Sequence, residues 1–174
     1  MQSQITKTMV NTNVKKQSLM RTALIDILLL TTACLVPAIS HLTALPLYQF
    51  NPMLLFLVLG MVMVNDRKNA YLLAVLLPLV SMLIVGMPAP AKALCMGAEY
   101  LTVVSLFALL GSKMGSNKKG TFLAMLAAML GGKVVFYALK ALLLTPVVLI
   151  STPVMMQVLV MVAFAGLVAL IKQN

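Results

Sequence analysis

Six long apolar stretches, at about residues 22–40, 45–64, 71–87, 93–110, 121–145 and 153–171, occupy most of this 174-residue chain. Each is close to the ~20 residues a helix needs to cross the hydrocarbon core of a bilayer. The breaks between them are short and rich in helix-ending residues: His41 to Pro46, Asn65 to Ala70, Pro88 to Lys92, Gly111 to Gly120 and Thr145 to Pro153. The pattern predicts an all-α integral membrane protein, a six-transmembrane-helix bundle forming a single domain over 22–171. Residues 1–21 are then a basic N-terminal segment and 172–174 a short tail. No length remains for a soluble catalytic domain. The first stretch is long for the apolar core of a signal peptide, contains Pro37, and is followed by Leu42-Thr43-Ala44, a poor cleavage site. It reads as a true span.

Composition supports the same class. The chain is 62 % hydrophobic and 9 % charged, whereas a soluble domain is about half apolar and a quarter charged. Disorder requires low hydrophobicity, which excludes it. Thirteen Lys/Arg face three Asp/Glu, a net charge of +10. These cations form no patch interleaved with aromatics, so no nucleic-acid partner is expected. Their distribution is instead a topology signal. With the N-terminus inside, Lys7, Lys15, Lys16, Arg21, Arg67, Lys68, Lys113, Lys118, Lys119 and Lys172 all fall on the inner side. Only Lys92 falls outside, while Lys133 and Lys140 lie within a span. Short positively charged loops stay in the cytoplasm, so both termini are predicted cytoplasmic, in a bacterial cell membrane whose lipid surrounds the bundle. Cys34 and Cys95 lie in apolar stretches and read as thiols rather than a disulfide.

Ionisable side chains inside a bilayer cost about 3 kcal/mol each and need a partner or a task. Asp26, near the inner end of the first span and within reach of Arg21, reads as a solvated helix end or a local ion pair. Glu99, Lys140 and Gln157 are different. Counted from the outer ends of the fourth, fifth and sixth spans, they lie roughly 6–9 Å deep at 1.5 Å per residue. Lys133, Tyr137 and Lys140 follow an i, i+4, i+7 spacing on one helix face, with Lys133 roughly 18 Å deep. One reading is an interhelical Glu99–Lys140 or Glu99–Lys133 pair that fixes packing. The other, which we favour, is an outward-facing pocket for a small polar solute, with anionic solutes among those it would suit, because one pair leaves a second lysine and a glutamine unexplained. Gln49, Asn51 and Met87, with Tyr48 and the stiff Gly86-Met87-Pro88-Ala89-Pro90 turn, would cap that pocket. Prolines that end helices and a tyrosine in the interfacial belt explain the same residues without a ligand. Ala124, Ala128 and Gly132, then Ala165 and Ala169, are four-residue repeats of small side chains that permit close helix approach, within the bundle or to another subunit.

No enzyme motif accompanies these residues. One histidine, His41, cannot build a zinc protease site, no G-x-S-x-G turn occurs, and Gly131-Gly132-Lys133 lacks the first glycine and the Ser/Thr of a phosphate loop. Neither a catalytic centre nor a cofactor or metal is expected.

Pro78-Leu79-Val80-Ser81, Val85-Gly86-Met87-Pro88 and Met96-Gly97-Ala98-Glu99-Tyr100, preceded by Asn51-Pro52-Met53, resemble a signature of substrate-binding S components of energy-coupling factor (ECF) vitamin transporters. Leu54 stands where relatives often carry His, and the small-residue pair of the first helix survives only as Cys34 and Ala38. The resemblance implies six spans with cytoplasmic termini and capture of a vitamin or related micronutrient from outside by helices 4 to 6 and the outer loops. It also implies association with a transmembrane T component and two cytoplasmic ATPases, which alone would hydrolyse ATP. Two other classes fit the residues: a non-transport assembly or regulatory subunit, and a stand-alone proton-coupled carrier.

Overall fold

The computed structural model describes residues 2–43, 47–114, 117–143 and 153–171; for residues 2–17 and for Ala38, His41, Tyr48 and Gln49 only the backbone is described. The described residues are helical, with no strand. They form α1 (Gln2–Thr43), a 3-10 turn (Leu47–Phe50), α2 (Pro52–Val64), α3 (Arg67–Val85), α4 (Pro90–Lys113), α5 (Lys118–Leu143) and α6 (Val154–Ile171). Five stretches are long and apolar enough to cross a membrane: Ser18–Pro37 of α1, and α3, α4, α5 and α6, with mean hydropathy between 1.8 and 2.6. That makes the all-α class of a multi-pass membrane protein the one this chain fits.

Several expected boundaries change, two of them most. The stretch 45–64 is not one span: Asn51 takes a left-handed conformation (φ 49°) between the 3-10 turn and α2. The 13 residues of α2 reach only about 20 Å, short of the ~30 Å hydrocarbon core. Asparagine tolerates this backbone region better than other non-glycine residues, and Pro52 then starts α2 at its first position, where the missing N–H costs nothing. The second change is at the N-terminus, where α1 continues through the polar 1–21 region as far as Gln2.

The turns have local causes. Asn65, also left-handed (φ 51°), ends α2, and the Asp66 side chain caps α3 by accepting from the Lys68 N–H at 3.0 Å. This cap starts α3 at Arg67 rather than near 71. Gly86 ends α3 at φ 72°, its N–H bonding the Met82 carbonyl, and Pro90 opens α4. Starting α3 early brings Asn69 inside the bundle, where its amide donates to Asp26 Oδ1 of α1 at 2.9 Å. Asp26 is therefore tied across to α3.

The core runs through all six helices, with Leu29 and Ala33 of α1, Leu57 and Val58 of α2, Leu73 and Leu77 of α3, Tyr100 and Val103 of α4, Met125 and Met129 of α5, and Met161 and Val168 of α6 all buried. The small-residue repeats face inward: Ala124, Ala128, Gly132, Ala165 and Ala169 are buried within the chain's own bundle. Gly132 matters most. A side chain there would meet Val103 Cγ2 at 2.6 Å and the Glu99 carbonyl oxygen at 3.0 Å, so its missing Cβ sets how closely α5 approaches α4. Both cysteines are free thiols.

Candidate functional site

The start of α4 decides which polar groups meet. The helix begins at Pro90, three residues before the expected 93, because proline is favoured at the first helical position. Glu99 then lies nine residues in, roughly 13 Å along the helix. On α5, which ends at Leu143, Lys133 lies ten residues from the end, roughly 15 Å. The two are level, and they pair: Lys133 Nζ is 2.8 Å from Glu99 Oε1. Of the two pairings open to Glu99, the structure takes Lys133. The pair lies beside Gly132, whose lack of a side chain lets the two helices close around it.

The Glu99 residue is 1 % exposed, so its carboxylate is sealed between α4 and α5. The contact is at ion-pair distance, and the Lys133 ammonium is what holds Oε1. A buried carboxylate needs strong compensation. The Lys133 ammonium provides it and lies 5.2 Å from the centroid of the Phe136 ring, within cation–π range. Phe136 packs edge-on against Tyr137 with centroids 5.5 Å apart.

One turn nearer that end of α5, the Tyr137 hydroxyl donates to Gln157 Oε1 of α6 at 2.7 Å. On the other side of α4, the buried Tyr100 hydroxyl donates to Asn51 Oδ1 at 3.1 Å. These three polar links join α2, α4, α5 and α6. Five of the sequence-derived residues, Glu99, Lys133, Tyr137, Gln157 and Asn51, thus fall within the linked set. Tyr100 and Phe136 belong to it as well. The first was visible in the motif beside Glu99, while the second carries no polar signal and is found only by its ring geometry.

The remaining candidates are Lys140, Met87 and Gln49. Lys140 stands nearer the end of α5, within electrostatic range of Lys92 and Cys95 of α4. The Met87 side chain is exposed, while its carbonyl accepts from the buried Ser81 hydroxyl at 2.7 Å, which anchors the α3–α4 turn. The side chain of Gln49 lies outside the described residues. At the opposite end of the bundle, two adjoining clefts of about 240 and 150 Å³ open between Asn65, Met61 and Phe107, and the first is also lined by Arg67 and Ser112. Among the described residues no group of three His, Cys, Asp or Glu side chains clusters as metal ligands.

Tyr100→Phe removes the hydroxyl that links α4 to the start of α2. A buried hydrogen bond contributes about 1 kcal/mol, so a matching loss of stability is expected in thermal unfolding of the detergent-solubilised protein. An unchanged melt would show that α2 is held at Asn51 by packing alone.

Comparison of the chain with protein-family models, curated proteins and solved structures finds no match. The functional reading therefore rests on the residues and their geometry.

Proposed function

We propose that the chain is a membrane-embedded substrate-capture subunit, the S component of an ECF-type importer. In this reading the chain crosses the bacterial cytoplasmic membrane six times with both termini inside, α2 and the 3-10 turn before it together making the second crossing, and the α3–α4 turn faces outward. The subunit binds a small vitamin or related micronutrient from outside. It delivers the solute inward with a T component and two ATPase subunits, and carries no catalytic machinery of its own.

The observation that carries this reading is the stack of polar links in the outward half of the bundle, Tyr137–Gln157 above Glu99–Lys133, with Asn51–Tyr100 beside it. Ionisable side chains at membrane depth face the bundle interior and mark solute or ion pathways, and the Glu99–Lys133 pair is such a feature with neutral polar links beside it. The resemblance around Gly86-Met87-Pro88 and Glu99 points to the same half of the molecule. The test is native mass spectrometry of the full chain purified from its own host in mild detergent. A discrete small molecule bound to the protein, with ATPase subunits eluting alongside it, is the expected result. A chain that carries neither belongs to another class.

The Glu99–Lys133 closure at 2.8 Å also favours a second reading, in which the chain is a non-transport assembly subunit and the pair only holds the bundle. Replacing both residues together distinguishes the two.

A further inference from the structure

The two adjoining clefts at the end of the bundle opposite the α3–α4 turn have no part in the solute reading. They hold about 240 and 150 Å³ and share Met61, Asn65 and Phe107 as walls. Small side chains leave the room. Ala70 of α3 and Ala108 and Gly111 of α4 line the larger cleft, and a Cβ on Gly111 would meet nothing within 4 Å.

The lining divides by depth. Asn65, Asp66 and Arg67 form the α2–α3 turn, and Ser112 is one residue from the end of α4. These four make a polar rim at the helix ends. The floor is apolar, with Phe107 and Val104 roughly 9 and 14 Å inside the end of α4 at 1.5 Å per residue. Helix ends of a membrane-spanning bundle lie at the headgroups, so the rim is at headgroup level and the floor at the level of the upper acyl chains.

Charge separates the possible occupants. Asp66 is the one carboxylate on the rim, and its side chain is engaged in capping the Lys68 N–H at 3.0 Å. The Ser112 hydroxyl donates to the Leu109 carbonyl at 2.7 Å. The rim donors that remain are the Arg67 guanidinium and the Asn65 amide, and among the described residues no ion pair engages Arg67. Lys68 and Lys113 follow Arg67 and Ser112 in the chain, so cations outnumber the carboxylate here. A guanidinium matches phosphate oxygens in bidentate geometry. A soluble anion would leave the apolar floor unfilled, and an apolar segment would leave Arg67 without a counter-charge. A molecule with an anionic head and an apolar tail satisfies both levels.

We propose that this cleft binds one anionic phospholipid, with its phosphate on Arg67 and Asn65 and the first part of an acyl chain against Met61 and Phe107. The site does not depend on solute capture, and it holds whichever side of the membrane this end faces.

Native mass spectrometry of the full chain in mild detergent, titrated with dioleoyl-phosphatidylglycerol or dioleoyl-phosphatidylcholine, tests it. Wild type is expected to bind one phosphatidylglycerol roughly tenfold more tightly than phosphatidylcholine, the effect of a single charge-assisted contact. Arg67→Gln should erase that preference while the lipid-free melt stays the same, since Arg67 is exposed. Gly111→Leu should weaken both lipids alike by filling the cleft, and the open space around its Cβ lets the helix accept it. Equal affinity of the wild type for the two lipids would overturn the proposal, as would an Arg67→Gln protein that keeps the preference. The double variant Lys118→Gln, Lys119→Gln removes charge from the start of α5, away from the cleft lining, and should retain the preference. Its loss there would assign the effect to the basic surface as a whole and overturn the site. Glycerol phosphate that displaces phosphatidylglycerol at equal concentration would give the cleft to a soluble anion and overturn the lipid assignment.

Discussion

Replacing Gly132 with leucine is expected to break the α4–α5 interface. A Cβ at this position would lie 2.6 Å from Val103 Cγ2, 3.0 Å from the Glu99 carbonyl oxygen and 3.4 Å from Glu99 Cγ. The first contact is with the end of a side chain, which can rotate away. The second is with backbone, which moves only if α4 itself moves. Overpacking a well-filled core costs about 1–3 kcal/mol. Here the shift also pulls Glu99 away from Lys133, leaving a buried carboxylate short of its counter-charge, so the total is expected to reach at least about 3 kcal/mol. The measurement is the melt of detergent-solubilised protein together with its monodispersity on size exclusion. Gly166→Ala is the control. A Cβ there meets nothing within 4 Å, and alanine is favoured over glycine in a helix by about 1 kcal/mol. A Gly132→Leu protein that melts with the wild type would show that the close approach of the helices is dispensable.

The helices themselves were legible because their signal is strong and local. Apolar runs of this length have few other options, and α3 to α6 fall where hydropathy places them. What hydropathy does not resolve is the ends of helices, and here the ends carry the chemistry. Pro90 starts α4 three residues early, which lowers Glu99 by roughly 4–5 Å. That shift is nearly a helical turn, close to half of the roughly 10 Å between the levels of Lys140 and Lys133, and it takes Glu99 toward Lys133. The cap at Asp66 similarly carries Asn69 into the bundle, where it meets Asp26. The split at Asn51 depends on one left-handed residue inside an apolar run, and averaged hydropathy does not register it. Tyr100, Phe136 and the cleft between Met61, Asn65 and Phe107 depend on which neighbours the tertiary packing supplies. Sequence spacing along single helices does not contain that information.

The largest effects are expected at the buried ion pair, and a cycle of three variants separates its two possible roles. Glu99→Gln keeps the shape but leaves the Lys133 ammonium without its counter-charge. Lys133→Met leaves a carboxylate on a residue that is 1 % exposed. Removing one member of a buried pair costs roughly 3–5 kcal/mol, because the survivor remains desolvated. The two losses should not be equal. The Lys133 side chain is 17 % exposed, and its long stem can carry the ammonium toward a wetter level, so Glu99→Gln should be the milder change. Lys133→Met should be the more severe. Combining them removes both charges, and the melt is expected to return to within about 1 kcal/mol of wild type, since buried pairs replaced by neutral side chains of similar volume cost little. Failure to recover in the double variant would mean that the pair's role goes beyond mutual compensation of charge. Solute retention then decides function. A pair that only holds the bundle predicts a double variant restored in both fold and retention. A pair that belongs to the solute site predicts a double variant that folds, assembles with its partners and retains no solute. The second outcome is expected here, because the pair lies on the α5 face that carries Tyr137 and, two turns above it, Lys140.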